Sequence, residues 1–261
     1  MNFFILFCIF SQAVTIIQGQ RNKVDNRRVK NYRRRTVEVG VYLDKYVWNT
    51  MKQQVGGSNS CVQRKTYKMI KALFKDTEVL FKDSSISRYG GFDLKVNGIK
   101  IIKNDYDREF SPIHQTTNQG RQLDVFEKYA RSRNNPDDKK RNSYDISFLL
   151  TGNNRRGSVP SGLSHIDRVC HLFGAGVMTL KLRNGKHDGA HILLAHELGH
   201  LMGVKDHDGT KSARECRGKT IMKPTVEPDF TKWSACSRKQ IDYAYDRRAR
   251  NRHTNGNCFY V

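Results

Sequence analysis

The sequence predicts a single α/β layered domain. Three observations carry that expectation: short alternating strands follow and precede helical segments along the chain, one long segment repeats its apolar residues at helical spacing, and the 261 residues leave about 240 after an N-terminal leader, enough for one sizeable core.

The elements follow in order. Phe3 to Phe10 is an apolar run broken at Ser11, Gln12, Thr15 and Gln18, too short to span a bilayer. It reads as a secretory signal peptide over residues 1–19. Residues 20–35 hold Arg27, Arg28, Arg33, Arg34 and Arg35 with almost nothing to bury, so they are expected to be a short basic pro-segment or disordered arm. Thr36 to Leu43 alternates Val37, Val39, Val41 and Leu43 with other residues, as a strand does. Over residues 62–81, Ile70, Leu73, Phe74, Leu80 and Phe81 recur on one helical face. Phe92, Leu94 and Val96 alternate again, and Asn97-Gly98 is either a hairpin turn or a bulge in one strand running to Ile102. Leu123, Phe126 and Ala130 predict a helix, residues 131–143 with Pro136 an exposed loop, and residues 144–151 a buried strand. Near the end, Ser237 and Gln240 have capping-box spacing ahead of a terminal helix through Ile241, Ala244 and Tyr245.

The formal net charge is +22 with a pI of about 9.9. A surface so basic either attracts polyanions, heparin-like glycans or anionic cell surfaces for an exported chain, or only keeps the protein soluble. No nucleic-acid reading motif accompanies the charge, and no membrane span is expected. Five cysteines follow the leader, Cys61, Cys170, Cys216, Cys236 and Cys258. Export makes disulfides the natural use of them, and the odd number leaves one over.

The chemistry is concentrated in His196-Glu-Leu-Gly-His200-Leu-Met-Gly203-Val-Lys-Asp206-His207-Asp208-Gly209. Residues four apart share a helix face. His196 and His200 can therefore aim two imidazole nitrogens at one ion while Glu197 flanks it without binding, a spacing that suits zinc. A chance HExxH in a chain of this length is expected at roughly one per cent, which leaves little weight for two ordinary helix histidines. Gly203 can end the helix and turn the chain back so that a third ligand reaches the metal. His165, His171, His187 and His191 lie off that face and read as ordinary surface or helix-start residues.

This stretch resembles the signature of the metzincin zinc peptidases, HExxHxxGxxH followed by a methionine-containing turn, and Met222 in Thr220-Ile221-Met222-Lys223-Pro224 looks like that turn. The likeness narrows to the adamalysin or reprolysin branch, the catalytic domains of ADAM proteins and snake-venom metalloproteases. Residues 35–38 resemble that family's first strand, residues 145–151 its central strand, and residues 233–237 the entry to its final helix. The resemblance covers roughly residues 36–261, taken as one adamalysin-like catalytic domain. It implies a mixed twisted sheet with packed helices and a zinc cleft between a larger upper and a smaller C-terminal subdomain. The family's third histidine would fall on Asp206, with His207 one residue late. Spacing favours Asp206 and the following Asp208-Gly209 context favours His207; His207 is taken as the ligand beside His196 and His200, because a loop absorbs an insertion more easily than a site absorbs a change of ligand chemistry.

By the same resemblance, one Zn2+ polarises a peptide carbonyl and activates water, with Glu197 as general base. Gly162-Leu163-Ser164 is the edge strand on which an extended peptide lies, and residues after Met222 line the main specificity pocket. Cys170 pairs with Cys258 and Cys216 with Cys236, leaving Cys61 as a buried thiol or an intermolecular bridge. Glu38, Asp145 and the Cys258 carbonyl match three ligand positions of a Ca2+ site whose fourth does not match. The implied protein is a secreted zinc endopeptidase acting on extracellular or host proteins, with toxin-like action among the roles the resemblance implies. The alternative is a catalytically weakened protein on the same fold that binds glycans or cell surfaces.

Overall fold

β1 (Thr36–Leu43) is buried along its whole length because it lies inside a five-stranded sheet of order β2-β1-β3-β5-β4. The other strands are β2 (Asp93–Ile101), β3 (Ile146–Thr151), β4 (Gly162–Ser164) and β5 (Ala175–Thr179). β1 pairs in parallel with β2 and β3, β3 pairs in parallel with β5, and β4 runs antiparallel to β5 at the edge. The computed structural model describes residues 35–137, 140, 143–153, 161–250 and 258–259. The expected leader and nearly all of the basic arm lie outside the described residues.

Both faces of the sheet are covered. On one, Val37, Val39, Val41, Phe148 and Met178 pack with α1 (Lys45–Val55), α2 (Asn59–Phe81), α5 (Ala190–Met202) and α6 (Ala235–Arg250). On the other, Tyr42, Leu149 and Val177 pack with α3 (Ser111–His114) and α4 (Gln119–Arg131) through Phe110, Ile113 and Phe126. The alternation in β1 therefore marks the face toward α2, and its intervening residues are buried as well. A sheet covered by helices on both sides is the layered α/β arrangement.

Asn97-Gly98 is a bulge. Val39 pairs with Val96 and Gly40 with Gly98, so Asn97 is the extra residue and β2 continues. Gly40 and Gly98 are obligatory there because the Tyr144 side chain lies against both, and a Cβ on Gly40 would come 2.7 Å from its Cδ2. α1 has only Val47, Trp48 and Met51 on its buried side, too brief a pattern to read. It forms because Asp44 caps it at 2.9 Å from the Val47 amide and simultaneously accepts from Thr151 Oγ1 at 2.5 Å, tying helix to sheet. α6 is capped by Ser234, whose Oγ accepts from the Ser237 amide at 3.0 Å. Ser237 thus stands inside the first turn, and Gln240 instead accepts from the Lys205 amide through Oε1 at 2.7 Å.

Two disulfides, Cys170–Cys258 and Cys216–Cys236, join segments 88 and 20 residues apart. Cys61 lies buried on α2 and belongs to neither. The first bridge brings the C-terminal segment to the sheet, where the Phe259 carbonyl accepts from the Thr36 amide at 2.8 Å. Closing so long a loop stabilises chiefly by restricting the unfolded chain. Replacing Cys170 and Cys258 together by Ala should lower unfolding free energy by about 2–5 kcal/mol, read by urea titration, with the buried Phe259 exposed as a second sign.

Candidate metal centre

α5 is apolar almost all round and, apart from the half-buried His191, buried from Ala190 to Met202, which drives it through the core and makes it a rigid mount. It ends at Gly203, whose φ of +120° a side chain would strain and whose amide reaches the Gly199 and His200 carbonyls. The chain then turns beneath the helix. His196, His200 and His207 come together with ring centroids 4.9, 5.2 and 5.1 Å apart, and one ring nitrogen of each lies within 4.8 Å of the others.

The rings are oriented from behind. His196 Nδ1 lies 2.7 Å from the Ile221 carbonyl and His200 Nδ1 2.7 Å from the Val204 carbonyl. A carbonyl oxygen can only accept, so each Nδ1 carries the proton and each Nε2 presents a lone pair to the shared space. Burial lowers all three histidines, His196 to about 4, so they are neutral donors at pH 7. Three neutral imidazoles converging on one point fit a zinc ion. Asp206, the other candidate third ligand, is engaged elsewhere: its carboxylate accepts from Ser212 Oγ and lies 3.9 Å from Lys211 Nζ.

Asp208 is an anchor. It is buried, its carboxylate accepts from Thr220 and Ser234 hydroxyls at 2.7 Å each, and its amide donates to the Met222 carbonyl at 2.8 Å. The loop carrying His207 is thereby tied to the turn carrying Met222 and to the start of α6. Met222 is fully buried with its thioether against α5. A Cβ on Gly199 would come 2.6 Å from Met222 Sδ and 3.0 Å from the Trp233 ring. The glycine inside the motif is what lets the turn close on the helix, and nothing in the sequence pattern announces that.

Glu197 is buried, and burial pushes its carboxyl up to about 7 against the pull of a Ser164 hydroxyl. Ser164 Oγ lies 2.7 Å from Glu197 Oε2 and 2.9 Å from the Glu197 carbonyl, two acceptors sharing one proton. Gly162, two residues earlier on β4, leaves room for the carboxylate: a Cβ there would lie 2.6 Å from Glu197 Cδ. β4 thus contributes two fitted positions to the site, of which the family resemblance implied only the strand. A cleft of about 630 Å³ runs past these groups, lined also by Leu163, Ile166, Leu193 and residues 224–226.

The other histidines lie elsewhere: His165 contacts Glu127 at 2.7 Å, His187 contacts Asp76 at 3.1 Å, and His171 stacks on Phe173. His191 faces His187 on the far side of α5. The supposed calcium position has a different occupant. Lys95 Nζ meets Glu38 Oε1 at 2.7 Å, Ser143 Oγ donates to Oε2, and Asp145 Oδ2 accepts from the Glu38 amide at 2.8 Å. A lysine ammonium already supplies the positive charge that this buried carboxylate requires, and calcium finds no support there.

Residues 33–234 match the family model described as Reprolysin_5, metallo-peptidase family M12. Two curated relatives carry the same kind of name. The chain is 24% identical over 212 residues to "A disintegrin and metalloproteinase with thrombospondin motifs adt-1" of Caenorhabditis elegans, covering 79% of this chain and 14% of that protein. It is 26% identical over 244 residues to "A disintegrin and metalloproteinase with thrombospondin motifs 20" of Mus musculus, covering 89% of this chain and 12% of that one. The chain therefore spans well under a fifth of the length of these relatives. A solved "chaperone-substrate complex" superposes at TM-score 0.46 and 12% identity, over 81% of this chain and 33% of that one.

Glu197 gives a signed pH test. Its folded pKa, about 7, lies above its ordinary value of 4.5. The stability it contributes is complete below 4.5 and is lost as pH rises through 7. In chelator, Glu197→Gln should therefore gain stability relative to the wild type between pH 4.5 and 7, by on the order of 3 kcal/mol at most, measured by urea titration at each pH. Gly199→Ala should cost about 1–3 kcal/mol by overpacking against Met222, with part of the loss recovered in the Gly199→Ala/Met222→Ala pair.

Proposed function

Because the chain belongs to metallo-peptidase family M12, we propose that it is a secreted zinc endopeptidase, with His196, His200 and His207 as metal ligands and Glu197 as general base. The observation that carries the proposal is the pairing of two functions in one cleft: three imidazoles whose Nδ1 protons or loop anchors aim them at a common point, and a buried carboxylate beside them.

Those three rings would hold zinc, which would supply Lewis acidity toward a peptide carbonyl and a water. The chain's own residues do the rest. Glu197 takes a proton from water at a carboxylate oxygen and returns it to the nitrogen of the departing amine. Burial brings its pKa close to working pH, where a group both accepts and releases a proton readily. Ser164 holds one carboxylate oxygen, so the other can face the cleft. Among the described residues β4 pairs only with β5, and its other edge can take an extended peptide by backbone hydrogen bonds. Leu163 and Ile166 remain 42% and 44% exposed beside that edge, and Pro224 to Val226 close the opposite wall. Apolar peptide side chains suit these surfaces.

Two disulfides agree with an oxidising, extracellular setting. No helix among the described residues is long and apolar enough to cross a membrane. Extracellular proteins are accordingly the proposed substrates.

The purified chain should hold about one zinc and cleave casein or a quenched peptide library until a chelator is added. Glu197→Gln should lower kcat by about 10²–10⁴ with zinc content unchanged, because the carboxylate works on water and not on the ion. His207→Ala should lose zinc, and Asp206→Ala should keep it. Cleavage by the Glu197→Gln variant at a rate near that of the wild type would sink the mechanism, and zinc with no cleavage in the wild type would favour a weakened, binding-only protein.

A further inference from the structure

The strongest concentration of unpaired charge lies away from the cleft, on the solvent face of α2. Arg64, Lys68, Lys71 and Lys75 are exposed, and Lys82 continues their line at the helix end in helical conformation. Their spacings of four, three, four and seven residues keep all five within about 60° of one another around the axis, over a length of about 27 Å. Lys65 is exposed on the flank. Among the described residues, Arg64, Lys65, Lys68, Lys71 and Lys75 form no ion pair.

Three acids lie beside the stripe: Asp76 is 3.1 Å from His187, and Glu78 and Asp93 both meet Lys82 at 3.1 and 3.2 Å, so Lys82 is the paired end of the row while Arg64, Lys65, Lys68, Lys71 and Lys75 stay outside these pairs. At its C-terminal half the stripe opens into a groove of about 600 Å³ between α2 and β2, where Phe74 and Leu94 are surrounded by the unpaired Lys71 and Lys75, by Lys82 with its partners Glu78 and Asp93, and by Lys95, which meets Glu38. The result is a straight basic track whose Lys71 and Lys75 reach the rim of a hollow.

We propose that this track binds a sulfated polysaccharide, lying along α2 with an end or branch in the groove. Four unpaired cations in a line, Arg64, Lys68, Lys71 and Lys75, match a linear polyanion whose sulfates recur along its length, and the match is one of charge spacing rather than net charge. Two other polyanions fit less well. Single-stranded nucleic acid is held through aromatic stacking, and the exposed large apolar residue on this face is Val79, with no exposed aromatic on α2. A membrane surface would need an apolar flank to insert, which one valine does not provide. The choice of an extracellular polyanion rests on the secretion proposed above; the existence of the track does not.

The test uses the full chain and a size-defined heparin fragment, titrated calorimetrically in chelator so that zinc and proteolysis play no part. Lys68→Gln/Lys71→Gln/Lys75→Gln should weaken binding by about tenfold or more and make the dependence of log affinity on log salt shallower by about two to three. A control of equal charge loss at exposed sites off the track, Lys128→Gln/Lys219→Gln/Lys239→Gln, should change affinity by less than about twofold. Three results would each overturn the proposal: equal losses in both triple variants, which means diffuse charge; no loss in the α2 variant; or tighter binding of a single-stranded oligonucleotide of matched charge that the α2 variant also loses. Because all exchanged side chains are exposed, melting temperatures of both variants should match the wild type and exclude unfolding as the cause.

Discussion

The site depends on a carbonyl oxygen that can only accept. The Ile221 carbonyl, held one residue before the buried Met222, meets His196 Nδ1 at 2.7 Å and so sets the tautomer, the ring plane and the direction of the remaining nitrogen. Everything that keeps the turn against α5 serves that contact. Gly199 gives up its side chain so that the Met222 sulfur can approach, Trp233 closes the contact from the side, and the Trp233 indole donates to the Leu80 carbonyl of α2 at 2.8 Å. A local orientation is thereby referred back to the long core helix.

The same turn reaches the third imidazole. Met222 offers its carbonyl to the Asp208 amide, and the Asp208 carboxylate gathers Thr220 and Ser234, the second of which caps α6. Cys216–Cys236 bridges the ends of this segment. Below the cleft the described chain has little regular structure apart from α6, so buried polar bonds and a disulfide do the work that a sheet does above it. Such a network is costly to leave half satisfied, and its acceptors find donors throughout. The other side of the cleft is built differently: Gly162 and Ser164, two apart on β4 and so on one face of the strand, shape and hold Glu197.

Much of the fold was legible where burial imposes a period. The bounds of β1, the course of α2 and the presence of β3 follow from apolar spacing alone. The two-sided burial of β1 does not, because Tyr42 and Gly40 carry no sign of the α4 and Tyr144 surfaces that cover them. α1 escaped for the opposite reason: three apolar residues are too few to set a period, and its capping aspartate is recognisable only with Thr151 beside it. Ser237 had the right spacing for a cap, yet Ser234 takes the role, since the segment before it is pinned by Asp208. At the site, the motif located α5 and the turn, while counting residues left Asp206 and His207 open. What separates them spatially is the path after Gly203, where the chain turns and the Asp206 carboxylate finds Ser212 instead. The Glu38 position shows the limit of resemblance, because Lys95 reaches it from the neighbouring strand.

In the proposed metal cradle the ligands are three imidazoles and not a carboxylate. Anomalous diffraction from crystals of the zinc-loaded chain, collected on both sides of the zinc absorption edge, tests it most directly. One full-occupancy peak is expected, bonded to Nε2 of His196 and His200 and to a nitrogen of His207, with Nδ1 of the first two still on the Ile221 and Val204 carbonyls and Asp206 still on Ser212. A peak bonded to an Asp206 oxygen with His207 displaced, or no peak among these residues, would contradict it.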